Sequence, residues 1–251
     1  MLEIIILSLI QGVTEFLPVS SSSHLIIVGK TTGYNLSNLY LDISLHIGSF
    51  LAVVIYFRNY ILDLFSNRKI LSLIIFSSIP IILAGFLIVS LDLIQFIRDV
   101  KLIAITTIIF GIILYISDKS KTEKKIEKSL NLKQALIIGV IHCLALIPGV
   151  SRSGIAITAA RFLGYRRDEA AKISFLLSIP TLFAVSIFGL KNLYMKSQLN
   201  FENINFLGIF ISFFFSYITI KFFLNYIKKF DLKIFVFYRI LLGIFLLGFF
   251  L

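Results

Sequence analysis

The chain has 251 residues, of which 58% are hydrophobic and 15% charged, and it carries a formal net charge of +11; its mean hydropathy is +0.98. One soluble domain cannot bury that much apolar surface, so the composition excludes a soluble globular protein and points to a polytopic helical membrane protein. Several apolar runs approach the roughly 20 residues that cross a bilayer, and runs such as IFLLGFFL at the C-terminus lack the alternation of a transmembrane barrel.

The basic residues fall in short loops between apolar runs. This is the positive-inside pattern, which also attracts anionic lipid headgroups. No soluble domain is present to offer a basic face, which argues against nucleic-acid binding. The one cysteine, Cys143, permits no intrachain disulfide. The first residues lack the basic start and small-residue cleavage site of a signal peptide.

In chain order, Leu2 to Val19 reads as an apolar helix with a polar stripe, in which Gln11 and Glu15 share one face. Pro18 and the serines Ser20 to Ser23 then turn the chain, and Leu25 to Gly29 is too short to span. Residues 1–30 are therefore expected to form a re-entrant helix–loop–helix, a backbone tolerated only where it lines a buried or watered cavity. Spans are expected over Leu39–Tyr56, Ile70–Ser90 with a kink at Pro80, and Val100–Ile116. Arg58 to Lys69 is a basic, partly amphipathic connection. The lysine-rich stretch at 119–133 is the most polar of the chain and reads as a solvated linker or short surface helix. Leu136 to Ala160 is broken by PGVSRSG (Pro148 to Gly154), which makes a second re-entrant element. Arg161 to Lys172 is basic, and spans over Ile173–Leu190 (with Pro180), Phe206–Phe223 and Ile234–Leu251 complete the chain.

The expected fold is thus all-α, with about six transmembrane helices plus two re-entrant elements. The two halves echo each other at an offset of about 130 residues. LPVSSSS at Leu17 matches IPGVSRS at Ile147 with one glycine inserted, Gly33–Tyr34 recurs as Gly164–Tyr165, and FLAVVIYF at Phe50 recurs as LFAVSIFG at Leu182. Residues 1–118 and 134–251 are expected to be inverted-topology repeats within a single membrane domain, with a polar site at their interface. One side then receives Arg58, Arg68, Lys69, the lysine-rich linker, Arg161 to Lys172, Lys228, Lys229 and Lys233. The other receives Lys30, Arg98, Lys101, Lys191 and Lys196. The first side is the more basic and is assigned to the cytoplasm, so the mouth of the first re-entrant element faces outward.

The chemistry sits in QGVTEFLPVSSSSH (Gln11 to His24) and in PGVSRSG. Polar and ionisable groups at membrane depth are costly and mark function. Glu15 can act as a base or bind a divalent metal, and Gln11 can assist by hydrogen bonding or weak ligation. His24 suits proton transfer, and the serines supply donors and candidate nucleophiles. Pro148 and Gly149 permit a tight turn that presents the backbone N–H groups of Val150 to Gly154 with the Ser151 and Ser153 hydroxyls. Such a cradle binds anions, and Arg152 adds a charged fork for phosphate oxygens. Asp42 and His46 are given a supporting place and His142 a packing or hydrogen-bonding one. Arg239 reads as an anchor snorkelling to the cytoplasmic interface.

EFLPVSSSSH with Gln11 one turn before Glu15, together with PGVSRSG in a second half, resembles the undecaprenyl pyrophosphate phosphatase family of bacterial membrane proteins, also called bacitracin-resistance proteins. The resemblance runs over essentially the whole chain. It implies six spans plus two re-entrant elements, often as a homodimer in the bacterial cytoplasmic membrane. It also implies removal of the terminal phosphate from undecaprenyl pyrophosphate, which recycles the carrier lipid for peptidoglycan, with a divalent metal such as Mg2+ or Ca2+. The family's first motif falls on Gln11, Glu15, Ser20, Ser21 and His24, and its second on Ser151, Arg152 and Ser153. Gln11 stands where many members have a second glutamate, and Ala156 where a threonine is common. On this basis the expected catalytic residues are Glu15, Ser21, His24 and Arg152. Phosphate binding is expected from Ser20, Gly149, Ser151, Arg152, Ser153 and Gly154, and a metal, if held, from Glu15 with Gln11. The alternative function is transport of a lipid-linked phosphate, because inverted repeats with midplane polar sites are common in transporters.

Overall fold

A computed structural model describes residues 2–32, 39–66, 68–91, 99–120, 123–195 and 203–250. Among these the regular structure is helical, joined by turns, with a single isolated bridge between Lys124 and Tyr165. The first helices are α1 (Leu2–Thr14) and α2 (Ser21–Thr32), joined by a turn at 15–19. At 13 and 12 residues both are shorter than a span requires. α1 stops at Thr14 rather than at Val19, and α2 begins inside the serine run.

The next helices are α3 (Leu39–Tyr56), α4 (Arg58–Ser66), α5 (Arg68–Ser90) and α6 (Val100–Asp118). α3 and α4 meet at a bend of 68°, so the basic connection after the first apolar run is itself a helix. α5 continues through Pro80. α7 is a single turn (Ile126–Ser129) in the lysine-rich stretch. It is pinned rather than free, because Ile126 is fully buried and its N–H donates to Glu169 at 2.8 Å. α8 (Leu132–His142) runs into a short 3-10 turn, Cys143–Leu146, and α9 (Arg152–Phe162) follows the PGVS turn. The chain ends with α10 (Arg167–Met195), α11 (Asn203–Ile227) and α12 (Lys233–Phe250).

α5, α6, α10 and α11 are each long and apolar enough to cross a membrane, and the bent α3–α4 pair is a fifth candidate. Their outward faces carry large apolar side chains, such as Phe210 and Phe214 on α11. The buried faces are instead rich in small and hydroxyl residues, which let backbones approach closely. On α3, Ser49 lies 3.2 Å from Ser212 and 3.0 Å from Ser216 of α11. A Cβ on Gly12 would come 2.7 Å from Phe215, so α1 also packs directly on α11. The echoed segments of the two halves face each other, with the rings of Phe50 and Phe183 5.7 Å apart. Lys30, Arg98 and Lys196 of the loop-charge pattern, and Gly33–Tyr34 of the repeat, lie outside the residues whose side chains are described.

One end of the molecule gathers the basic segments. The Asp118 carboxylate takes Arg167 at 2.6 Å and the Leu232 N–H at 3.1 Å, with Arg161 at 3.5 Å. Arg161 is buried and donates to the carbonyls of Tyr165, Asp118 and Ser120. Lys172 lies 3.5 Å from the centre of the Tyr60 ring and pairs with Glu127 at 3.2 Å. The ends of α6 and α9 and the starts of α4, α10 and α12 therefore meet in one polar hub. Arg161, the first residue of the basic run Arg161 to Lys172, is part of this packed hub.

Candidate functional site: two turns on one carboxylate

Glu15 lies just past the end of α1, yet its N–H still donates to Gln11 O at 2.9 Å, which keeps the helical register. The expected shared face is real: Gln11 Nε2 donates to Glu15 Oε2 at 2.9 Å. Phe16 anchors the turn by packing edge-on against Phe175, 5.3 Å between centroids. Ser20 then takes a left-handed conformation with φ 74°, unusual for a residue with a Cβ. Its hydroxyl lies 2.8 Å from that of Ser23. That twist starts α2 at Ser21, whose hydroxyl reaches back to Glu15 Oε2 at 2.5 Å.

The second turn repeats this design. Gly149 has φ 93°, and a side chain there would collide with Thr106 Oγ1 and Ile103 O, so only glycine fits. Thr106 Oγ1 donates to Pro148 O at 2.7 Å and holds the turn on α6. Ser151, at φ 71°, is the other non-glycine residue with positive φ among those described. Its hydroxyl accepts from Gly154 N at 3.1 Å and caps α9. Arg152, the first residue of α9, pairs through Nη2 with Glu15 Oε1 and through Nη1 donates to Thr181 Oγ1 at 3.1 Å. Ser153 Oγ donates to Leu17 O at 2.7 Å, tying the second turn to the first.

Glu15, Ser21 and Arg152, three of the four expected catalytic residues, thus share one point of contact. His24 is adjacent but aimed elsewhere. Its Nδ1 lies 2.6 Å from Ser20 O, and a carbonyl only accepts, so Nδ1 carries the proton. Nε2 is then the acceptor in the neutral ring, and it takes the Tyr238 hydroxyl at 2.5 Å. The two rings are nearly parallel at 6°. The expected phosphate binders divide into two kinds. Arg152 is partly open, with its side chain 19% exposed. Ser20, Ser151 and Ser153 are all buried and engaged in shaping and joining the turns. Gly149 and Gly154 provide the close approaches.

Arg239 is corrected: it is not an interfacial anchor. It is fully buried and donates to Thr107 O at 3.2 Å, Pro18 O at 3.3 Å, Gly149 O at 2.8 Å and Val150 O at 3.0 Å. Snorkelling requires a route to water, and this side chain points inward between the turns. His46 Nδ1 bonds to Asp42 O at 2.8 Å, and this pair has no contact with Glu15 or Arg152 among the described residues. His142 is fully buried with no hydrogen-bond partner on either ring nitrogen, so of its two expected roles packing holds. The sequence reading missed Tyr238, Thr106 and Thr181 as site neighbours. The available signal was a polar residue within an apolar run.

The donor set does not suit a resident divalent ion. Such ions take several oxygens, commonly including more than one carboxylate. Here Glu15 is paired with a guanidinium and also accepts from Gln11 and Ser21. Gln11 adds one buried amide oxygen without a partner. Among the described residues no group of three or more His, Cys, Asp or Glu gathers. Arg152 already neutralises the one carboxylate of the set.

A family model described as bacitracin resistance protein BacA matches residues 4–245. A protein named undecaprenyl-diphosphatase from Pelagibacter ubique (strain HTCC1062) is 53% identical over 98% of this chain and 96% of its own. Proteins of the same name from Aliivibrio salmonicida (strain LFI1238) and Saccharophagus degradans (strain 2-40 / ATCC 43961 / DSM 17024) are 41% and 40% identical, over 98% and 96% of this chain and 97% and 95% of theirs.

Proposed function

The chain belongs to the bacitracin resistance protein BacA family, and from that premise we propose that it is a membrane enzyme that hydrolyses undecaprenyl diphosphate to undecaprenyl phosphate and inorganic phosphate. The names of its relatives favour this hydrolysis over the transport alternative. The observation that carries the chemistry is the contact of Ser21 and Arg152 with the single carboxylate of Glu15.

In the proposed reaction the terminal phosphoryl group binds at Arg152, whose planar fork suits two phosphate oxygens. Glu15 Oε2 takes the Ser21 proton as Ser21 Oγ bonds to phosphorus, and the P–O bond to the departing undecaprenyl phosphate breaks. Glu15 then releases that proton to solvent. Water cleaves the phosphoserine and gives a proton to Glu15, which returns it to Ser21 Oγ as the O–P bond breaks, so that the hydroxyl and the carboxylate are both restored. Arg152 offsets the negative charge on the transferring group throughout, the role that dominates phosphoryl transfer. His24 and Tyr238 form a proton-carrying pair beside the turn, open enough to exchange with water. The helix start at Ser151 to Gly154 supports the remaining diphosphate oxygens.

The divalent cation that the family resemblance implies would, in this reading, come with the diphosphate substrate and would help to neutralise its charge. The full proposed architecture is six spans and two re-entrant elements, with residues 1–118 and 134–251 as inverted repeats and 119–133 as a cytoplasmic linker. The matching left-handed serines, Ser20 and Ser151, support the repeat. The shared hub of basic segments supports placing that end in the cytoplasm, which leaves the site open outward from a bacterial cytoplasmic membrane. A homodimer is part of the same proposal.

The test is phosphate release from undecaprenyl diphosphate by purified, detergent-solubilised protein. Arg152→Ala is expected to lower turnover by about 10² to 10³ with folding intact. Near-normal turnover would remove the core of the proposal.

A further inference from the structure

We propose that Arg239 is a positioning residue that sets the separation of the two turns and so brings Arg152 and Ser21 onto one carboxylate. This rests on the phosphatase reading above. Arg239 stands on α12, away in sequence from both motifs, yet its guanidinium donates to a carbonyl of the first turn (Pro18) and to two of the second (Gly149 and Val150). Its Nε fixes the group to α6 through Thr107 O. One rigid planar fork therefore spans both turns. A lysine ammonium, with three rotatable donors and no plane, cannot reproduce that pattern.

The surroundings are shaped for this side chain. A Cβ on Gly111 would come 3.2 Å from Arg239 Cβ, and one on Gly154 would come 2.9 Å from its Nη1. Two glycines on different helices thus leave the room that it fills. The carbonyls that it satisfies belong to turn residues whose neighbours decide the chemistry. Pro18 O lies two residues before Ser20, which launches Ser21, and Val150 O lies two residues before Arg152. Moving either carbonyl shifts a helix start and with it a group that touches Glu15. Among the described residues Arg239 has no carboxylate partner and donates only to backbone carbonyls, so its charge stands unneutralised between the two turns, in addition to that of Arg152. That surplus positive charge favours an anionic diphosphate at this point.

The experiment compares unsubstituted protein, Arg239→Lys and Arg239→Ala in detergent, measuring phosphate release from undecaprenyl diphosphate, thermal unfolding and the effect of added guanidinium ion. Arg239→Lys keeps the charge and is the variant most able to fold. We expect its kcat to fall at least tenfold with KM changed less than threefold. We also expect guanidinium ion to restore a measurable part of the turnover of Arg239→Ala, a recovery that general loosening of the fold would not give. Arg239→Lys with kcat within twofold of the unsubstituted protein would overturn the proposal. So would turnover losses that only track the fraction of unfolded protein, with no guanidinium recovery. If the unsubstituted protein releases no phosphate, the phosphatase reading fails instead, and the two failures are told apart in one assay.

Discussion

Ser21 and Arg152 are each the first residue of the helix that follows a left-handed serine, and both reach the same carboxylate, Glu15, one on each oxygen. The two sequence motifs, about 130 residues apart, thus end as equivalent positions around one acid. Glu15, and not His24, is the group that accepts from the Ser21 hydroxyl, and the proposed function takes it as the base.

Ser21→Ala is therefore expected to abolish turnover, with a loss of about 10⁴-fold or more as for other nucleophile removals. Ser22→Ala, at the exposed neighbour, should stay within about threefold, since one exposed hydroxyl is worth little. Phosphate release by the two purified variants checks the assignment, and similar losses in both would contradict it.

Tyr238→Phe keeps the ring beside His24 and removes the hydroxyl held at 2.5 Å from Nε2. One hydrogen bond is worth about 1 kcal/mol, which corresponds to roughly fivefold in rate. A modest fall in kcat is expected, and the measurement is turnover at saturating substrate. Complete loss would mean that Tyr238 touches the reacting group itself.

Magnesium or calcium alone is expected to give no saturable binding heat with the purified protein, because Arg152 already holds Glu15. Phosphate release should nevertheless fall when a chelator is added, if the cation arrives with the diphosphate. Calorimetry against the ion alone, with a micromolar saturable isotherm lost in Glu15→Ala, would instead reveal a resident ion.

Both helix pairs and both motifs were legible because Pro18, Pro148, Gly149 and the serine clusters interrupt apolar runs that otherwise continue. The contact between Gln11 and Glu15 followed from helical spacing alone. What the sequence could not reveal was direction. An arginine near the start of an apolar span reads equally as a headgroup anchor or a buried clamp, and only tertiary packing sends Arg239 inward. The partner of His24 was hidden for the same reason, since Tyr238 is distant in sequence and unremarkable in composition. The buried state of Arg161 was also hidden, because a basic run looks solvated until Asp118 is brought against it.

Asp118→Ala should destabilise the fold while sparing the chemistry. Removing one partner of a fully buried ion pair costs about 3–5 kcal/mol. The Arg167 side chain is 38% exposed, so screening reduces the expected loss to roughly 2 kcal/mol. Thermal unfolding in detergent should show a lower midpoint, with turnover per folded molecule unchanged below it. An unchanged midpoint would show that the hub adds nothing to stability.

The central claim, that one carboxylate organises a phosphatase site, is tested most directly by phosphate release from undecaprenyl diphosphate by the purified protein beside Glu15→Ala. The account predicts release by the unsubstituted protein and a loss of at least about 10³-fold in the variant, as both the base for Ser21 and the partner of Arg152 disappear. Release by folded Glu15→Ala at a rate near that of the unsubstituted protein would contradict it.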